Sequence, residues 1–153
     1  MTEEQVRAAV TAAIERLRRE VPVLDFQRVH ERSTAHRLAV HMEPLFAPWN
    51  VDCEYDRAGM VKKYLQGIAQ CDEQRQTDAI VPDIIVHVRR GEGREHNLLV
   101  VEIKKDDPED ACDSMKLELF TAPDGDYAYQ FGLYINIDRG NFVCTWYRDG
   151  RRQ

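Results

Sequence analysis

Two runs near the middle of the chain constrain its fold most. They are PDIIVHV at residues 82–88 and NLLVVEI at 97–103. Both are dense in aliphatic and β-branched residues, which fit a pleated, buried surface. The segment between them, RRGEGREHN, holds two glycines and no apolar residue, so the pair reads as a β-hairpin with a polar tip. With the tip centred near 92–93, antiparallel partners sum to about 185, which sets Asp83 opposite Glu102. Glu102 and Lys104 lie two apart and share one face of the second strand, whereas Lys105 points to the other face and is peripheral. Two carboxylates and an ammonium thus gather at one end of a hairpin whose other positions are Ile, Val and Leu. Charges in such surroundings cost several kcal/mol unless they are paired or bind a metal.

A third carboxylate is brought in by helix geometry. The segment from about Val29 to just before Pro44 carries the stripe Ala35, Leu38, Ala39 and Met42. At 100° per residue, with Glu31 at 0°, Leu38 falls at about −20°, Met42 at about 20° and Ala35 at about 40°. Glu31 therefore sits on the apolar stripe and is expected to point at the sheet. Convergent carboxylates make a hard-oxygen site suited to Mg²⁺ or Mn²⁺. A lysine beside it can orient a water and offset charge at a phosphorane-like transition state. This is equipment for phosphodiester hydrolysis. A buried ion-pair network, with Lys104 neutralising Glu102 and Asp83 capping a strand start, accounts for the same residues without chemistry.

The rest of the chain supplies an α/β frame. Thr2 and Gln5 form a capping-box pattern ahead of an amphipathic helix over about 3–20, closed by Pro22; this start reads as a helix and not as a signal or transit peptide. Val51, Cys53 and Tyr55 alternate with acidic residues as a strand, and residues 57–80 read as a long loop with one helical turn at most. Asp107 and Pro108 are expected to open a helix that runs to about Thr121. Residues 131–137 and 142–146 read as two closing strands with a turn at 138–141. The order is ααβ(loop)ββαββ: a mixed sheet flanked by helices.

Val81-Pro82-Asp83, followed after 18 residues by Glu102-Ile103-Lys104, with a preceding helix bearing Glu31, resembles the pattern of the PD-(D/E)XK nuclease superfamily. The resemblance spans about residues 29–137 of a single domain over 1–153. It implies a restriction-endonuclease-like αβββαβ core with an extra N-terminal helix and a C-terminal strand. It also implies a Mg²⁺-dependent (or Mn²⁺-dependent) nuclease acting on DNA, with RNA as another substrate the motif permits. Asp83, Glu102 and the backbone carbonyl of Ile103 would ligate the metal, Glu31 would bind it directly or through water, and Lys104 would position the attacking water. Lys116, in the following helix, is a candidate for an added polar residue. The alternative is an inactive member of the same fold serving as a nucleic-acid-binding or assembly subunit. A domain this small leaves sequence recognition to a dimer mate or a partner protein, if there is any.

Other groups have plainer readings. His30, His36 and His41 crowd one helix, where a solvated or substrate-edge role outweighs zinc binding. His87 shares the face of Asp83, as a core histidine or as a partner to the site. Tyr127, Tyr129, Tyr134, Trp49 and Trp146 could stack on bases or fill the core. Lys62, Lys63, Arg89, Arg90 and Arg94 are candidate phosphate contacts, and Arg148, Arg151 and Arg152 read as a frayed tail. Cys53, Cys71, Cys112 and Cys144 include no CxxC pair and are expected as four reduced thiols in a cytoplasmic protein.

A formal net charge of −6 speaks against a polyanionic partner. Residues 106–126, however, hold eight Asp/Glu and one Lys, so this segment contributes −7 and the remainder is close to neutral. Most of the acidic residues of that segment are therefore expected to turn away from a nucleic-acid substrate. The mean hydropathy of −0.55 and the absence of any apolar run of about 18–20 residues argue against a spanning helix.

Overall fold

The computed structural model describes residues 1–20, 29–54, 57–58, 61–62, 81–91, 93–108 and 110–153. Helix α1 (Glu3–Glu20) is closed at its start by the reciprocal pair that the sequence predicts. The Thr2 amide donates to Gln5 Oε1 (2.8 Å), and the Gln5 amide donates to Thr2 Oγ1 (3.3 Å). Val6, Ala9, Val10, Ala13, Ile14 and Leu17 recur at helical spacing and are buried. Each fully buried aliphatic side chain in that stripe contributes about 1.5–3 kcal/mol.

Helix α2 (Glu31–Phe46) begins with His30 as its cap, whose Nδ1 accepts from the Arg32 amide. It passes through Pro44, where the sequence predicts a stop. A proline inside a helix removes one hydrogen bond and crowds the preceding turn. Here Pro44 sits on the exposed side of the last turn, and continuing to Phe46 buries that ring completely. The burial offsets the lost bond.

Strand β1 (Asn50–Cys53) follows, then a two-stranded piece formed by β2 (Arg57–Ala58) and β3 (Val61–Lys62). The rest of the expected 57–80 loop, with Lys63 and Cys71, lies outside the described residues. β4 (Ile84–His87) and β5 (Asn97–Lys105) form the expected hairpin, and their partners Ile84↔Val101, Ile85↔Val100 and Val86↔Leu99 keep the predicted register, with a bulge after Val86. A short 3₁₀ turn at Arg94–His96 leads into β5.

Helix α3 (Ala111–Thr121) starts later than Asp107 predicts, because Asp110 is the cap: its Oδ1 accepts from the amides of Cys112 and Asp113, each at 2.9 Å. Strands β6 (Phe131–Asp138) and β7 (Asn141–Arg148) make the closing hairpin. Arg151–Arg152, expected as a frayed tail, forms a further short strand, β8, paired with Tyr147 and Arg148 of β7.

The six-stranded sheet has the order β1-β4-β5-β6-β7-β8 and is antiparallel except for β5–β6, which α3 connects as a parallel crossover. Ile84, Val86, Leu99, Val101, Ile103, Leu133 and Ile135 form one core with α1 and α2, whereas Ile85, Val100, Tyr134 and Tyr147 form a second core with α3. No described helix is long and apolar enough to cross a membrane. Cys53 and Cys144 are free thiols, but Cys112 is in a disulfide, which corrects the expectation of four reduced thiols. Spacing along the chain does not report which sulfurs the fold brings together.

Candidate functional site

β5 outruns β4, and this produces the site. Beyond the Ile84↔Val101 pair, the β4-side amides of Ile103 and Lys105 have no β4 strand residue to meet. Carboxylates take both. The Ile103 amide donates to Asp83 Oδ2 at 2.7 Å, and the Lys105 amide donates to Glu31 Oε1 at 3.0 Å. Glu31 thus points at the sheet as expected, but it arrives over the strand end from the α1/α2 layer. Glu102 and Lys104 share the strand face of Val100 and so face α3, on the other side. On that side they meet Asp113, in the first turn of α3, and Lys116 one turn later.

Glu102 is 4% exposed, and its Oε1 has no hydrogen-bond partner. Asp113 is 2% exposed. Its Oδ1 accepts from Lys116 Nζ at 2.5 Å, and its Oδ2 lies 3.4 Å from Lys104 Nζ as an ion pair without hydrogen-bond geometry. Burial pushes the Glu102 carboxyl well above the usual carboxylate range; the neighbouring Lys116 opposes this, and Asp113 and Asp83 add to it. Burial likewise pushes Asp83 up to about 6, against the stabilising Ile103 amide, with Asp113 and Glu31 raising it further. Burial disfavours the Lys104 and Lys116 ammoniums, but the surrounding carboxylates outweigh it and hold both lysines above their ordinary value.

Other sequence candidates lie elsewhere. Arg89 and Arg90 follow the C-terminal end of β4, so they sit at the opposite end of the hairpin from Asp83, Glu102 and Lys104, roughly 20 Å away at strand rise. These two candidate phosphate contacts therefore do not lie beside the carboxylates. Arg89 is spent on Asp52, donating from both Nε and Nη2, and Arg94 pairs with Asp149. His87 Nε2 lies 2.9 Å from Asp52 Oδ2 and is a satisfied, buried histidine. His41 contacts Glu20, and His36 is exposed. Tyr127, Tyr129 and Tyr134 are buried core residues, not an open stacking platform, and Trp49 and Trp146 are partly buried against the core. The side chain of Lys62 and all of Lys63 are outside the described residues.

Asp113 is the residue that the sequence reading missed. Asp106, Asp107, Glu118, Asp124 and Asp126 are exposed. Asp113 is buried, and the signal was present. It shares the buried stripe with Leu117, Phe120 and Thr121, at offsets of four, seven and eight.

As placed, no three His, Cys, Asp or Glu side chains among the described residues form a group able to hold a metal ion. The donors still suit a hard cation. Mg²⁺ is commonly held by one or two carboxylates with water and substrate oxygens completing the shell. Asp83 and Glu102 are two such carboxylates, one with an orphaned oxygen. The Ile103 carbonyl points to the same side of β5 as its amide, toward Asp83.

The fold and the site define an α/β protein with a buried acidic and lysine cluster at one end of its central strands. Comparison with protein-family models, curated proteins and solved structures found no match.

Proposed function

We propose that the chain is a divalent-metal-dependent nuclease with a restriction-endonuclease-like core, hydrolysing phosphodiester bonds in DNA. The observation that carries this reading is the orphaned, buried Glu102 Oε1 beside Asp83, with Lys104 on the same strand face. A buried carboxyl oxygen without a hydrogen-bond partner is expensive to keep unless a ligand relieves it. The succession α2, β1, β4, β5, α3, β6, with β6 parallel to β5, supports the αβββαβ assignment.

In this reading Asp83, Glu102 and the Ile103 carbonyl hold Mg²⁺ or Mn²⁺. The cation supplies Lewis-acid polarisation of a phosphoryl oxygen and makes water more acidic. Lys104 orients the attacking water and offsets negative charge that develops on the phosphate. Glu31 anchors the end of β5 through the Lys105 amide and would bind the cation directly or through water. Lys116 neutralises part of the carboxylate charge.

One observation favours a second reading, a binding or assembly module. Asp83 and Glu31 are both engaged by β5 amides, as structural caps would be. Cleavage decides between them. Plasmid, single-stranded DNA and RNA are incubated with Mg²⁺ or Mn²⁺ and the wild type, Asp83→Ala or Lys104→Ala. The expected outcome is metal-dependent DNA cleavage reduced by about 100-fold or more in both variants. Cleavage without metal, or activity retained in both variants, overturns the mechanism. Binding without cleavage by the wild type selects the module.

A further inference from the structure

Lys104 and Lys116 stand on different elements, β5 and α3, and nothing in their own backbones brings their ammoniums together. Asp113 does. Its two oxygens divide between them, Oδ1 accepting from Lys116 and Oδ2 paired with Lys104. Among the described residues neither lysine has another ion-pair partner. Long ammonium side chains in water sample many rotamers, at an ordering cost of up to about 2 kcal/mol each. A buried carboxylate between two of them removes that freedom before any substrate arrives.

Asp113 is itself well held. Its amide donates to the Asp110 cap, and it occupies the first turn of α3, where the helix dipole favours negative charge. It is 2% exposed, so solvent cannot compete for either oxygen. The orphaned Glu102 oxygen lies in the same cluster, where Lys116 is its strongest opposing charge.

We propose that Asp113 is a positioning residue: it fixes the ammoniums of Lys104 and Lys116 over the Asp83–Glu102 carboxylates and thereby sets the geometry in which a scissile phosphate is met. The proposal rests on the nuclease reading above. It also makes a claim about the free protein, that both ammoniums are already immobile without substrate. A plain structural tie between α3 and β5 would stabilise the fold but would not need to tune turnover.

The test combines lysine ammonium ¹H–¹⁵N spectra with steady-state cleavage, on the full chain. Signals are assigned by their loss in Lys104→Arg and Lys116→Arg. The wild type is expected to show both ammoniums protected from exchange, and Asp113→Asn to lose both. In Mg²⁺, Asp113→Asn is expected to lower kcat about 10–100-fold, with KM and Mn²⁺ affinity within about threefold of wild type, and Asp113→Glu to recover part of the loss. Unchanged ammonium signals or unchanged kcat in Asp113→Asn overturns the proposal. If the wild type cleaves nothing, the nuclease reading fails and the ammonium signals alone judge Asp113, with loss supporting its role and persistence refuting it. If Asp113→Asn does not fold, Asp113→Glu carries the same comparison: displaced signals support the role and undisplaced ones refute it.

Discussion

Asp83→Asn separates the cost of a charged carboxylate from the benefit of its contacts. Asparagine keeps an oxygen that can accept from the Ile103 amide at nearly the same place, but it cannot ionise. In the wild type, burial raises the carboxyl from its ordinary 3.8 to about 6. Between those values the folded chain retains a proton that the unfolded chain has released, so stability falls as pH rises through that window and is level above it. A rise of this size corresponds to about 3 kcal/mol.

Asp83→Asn is therefore expected to match the wild type near pH 3.5 and to exceed it by up to about 3 kcal/mol at pH 8 without divalent cations. For a chain of this length that is a rise of about 6–12 °C in Tm. Urea denaturation across pH 3.5–8, each point with and without Mg²⁺, reads it. On the proposed metal-binding reading, Mg²⁺ at 100 times its Kd should stabilise the wild type by about 2.7 kcal/mol, nearly cancelling the difference, and leave the variant almost unmoved. A variant that is less stable than wild type at pH 8, or a gap that does not change with pH, refutes the account of Asp83 as a strained carboxylate.

Two further predictions concern the frame. Asp110→Ala removes the cap from two α3 amides and should cost about 0.5–2 kcal/mol in urea denaturation, with cleavage falling more than this loss explains because Asp113 and Lys116 ride on that turn. Arg90 is held at φ 64°, so Arg90→Gly should stabilise by about 0.5–1 kcal/mol and, since it lies at the far end of the hairpin, leave kcat/KM within about twofold; a larger change in cleavage would put the hairpin tip in the substrate path.

Local rules made much of the fold legible. The hairpin sum near 185 follows from the tip alone, and it held for three successive pairs because both strands are buried and cannot slip without turning Ile and Val outward. The helical wheel aimed Glu31 correctly at the sheet. What failed was non-local or competitive. Pro44 yielded to the burial of Phe46. Two possible caps, Asp107 and Asp110, stand three residues apart, and the choice fell to Asp110, while the Asp107 amide is taken by Asn136 of β6. Asp113 was obscured by a charge sum that treated the whole segment as one surface. The placement of Arg89 and Arg90 was readable from the hairpin itself, since a tip lies at the end opposite the residues that open and close it.

The way β5 is shared between two kinds of neighbour also bears on the order of assembly. The β6–β7 hairpin closes around a two-residue turn, from Asp138↔Asn141 outward, and needs little chain entropy to be surrendered at once. The bond between Glu31 and the Lys105 amide spans 74 residues, and Asp113 reaches Lys104 only after the α3 crossover has set β6 beside β5. Contacts of such separation form late. A nascent or partly unfolded chain thus carries hairpins but no assembled carboxylate cluster, and whatever chemistry the cluster performs is withheld until nearly the whole domain is in place.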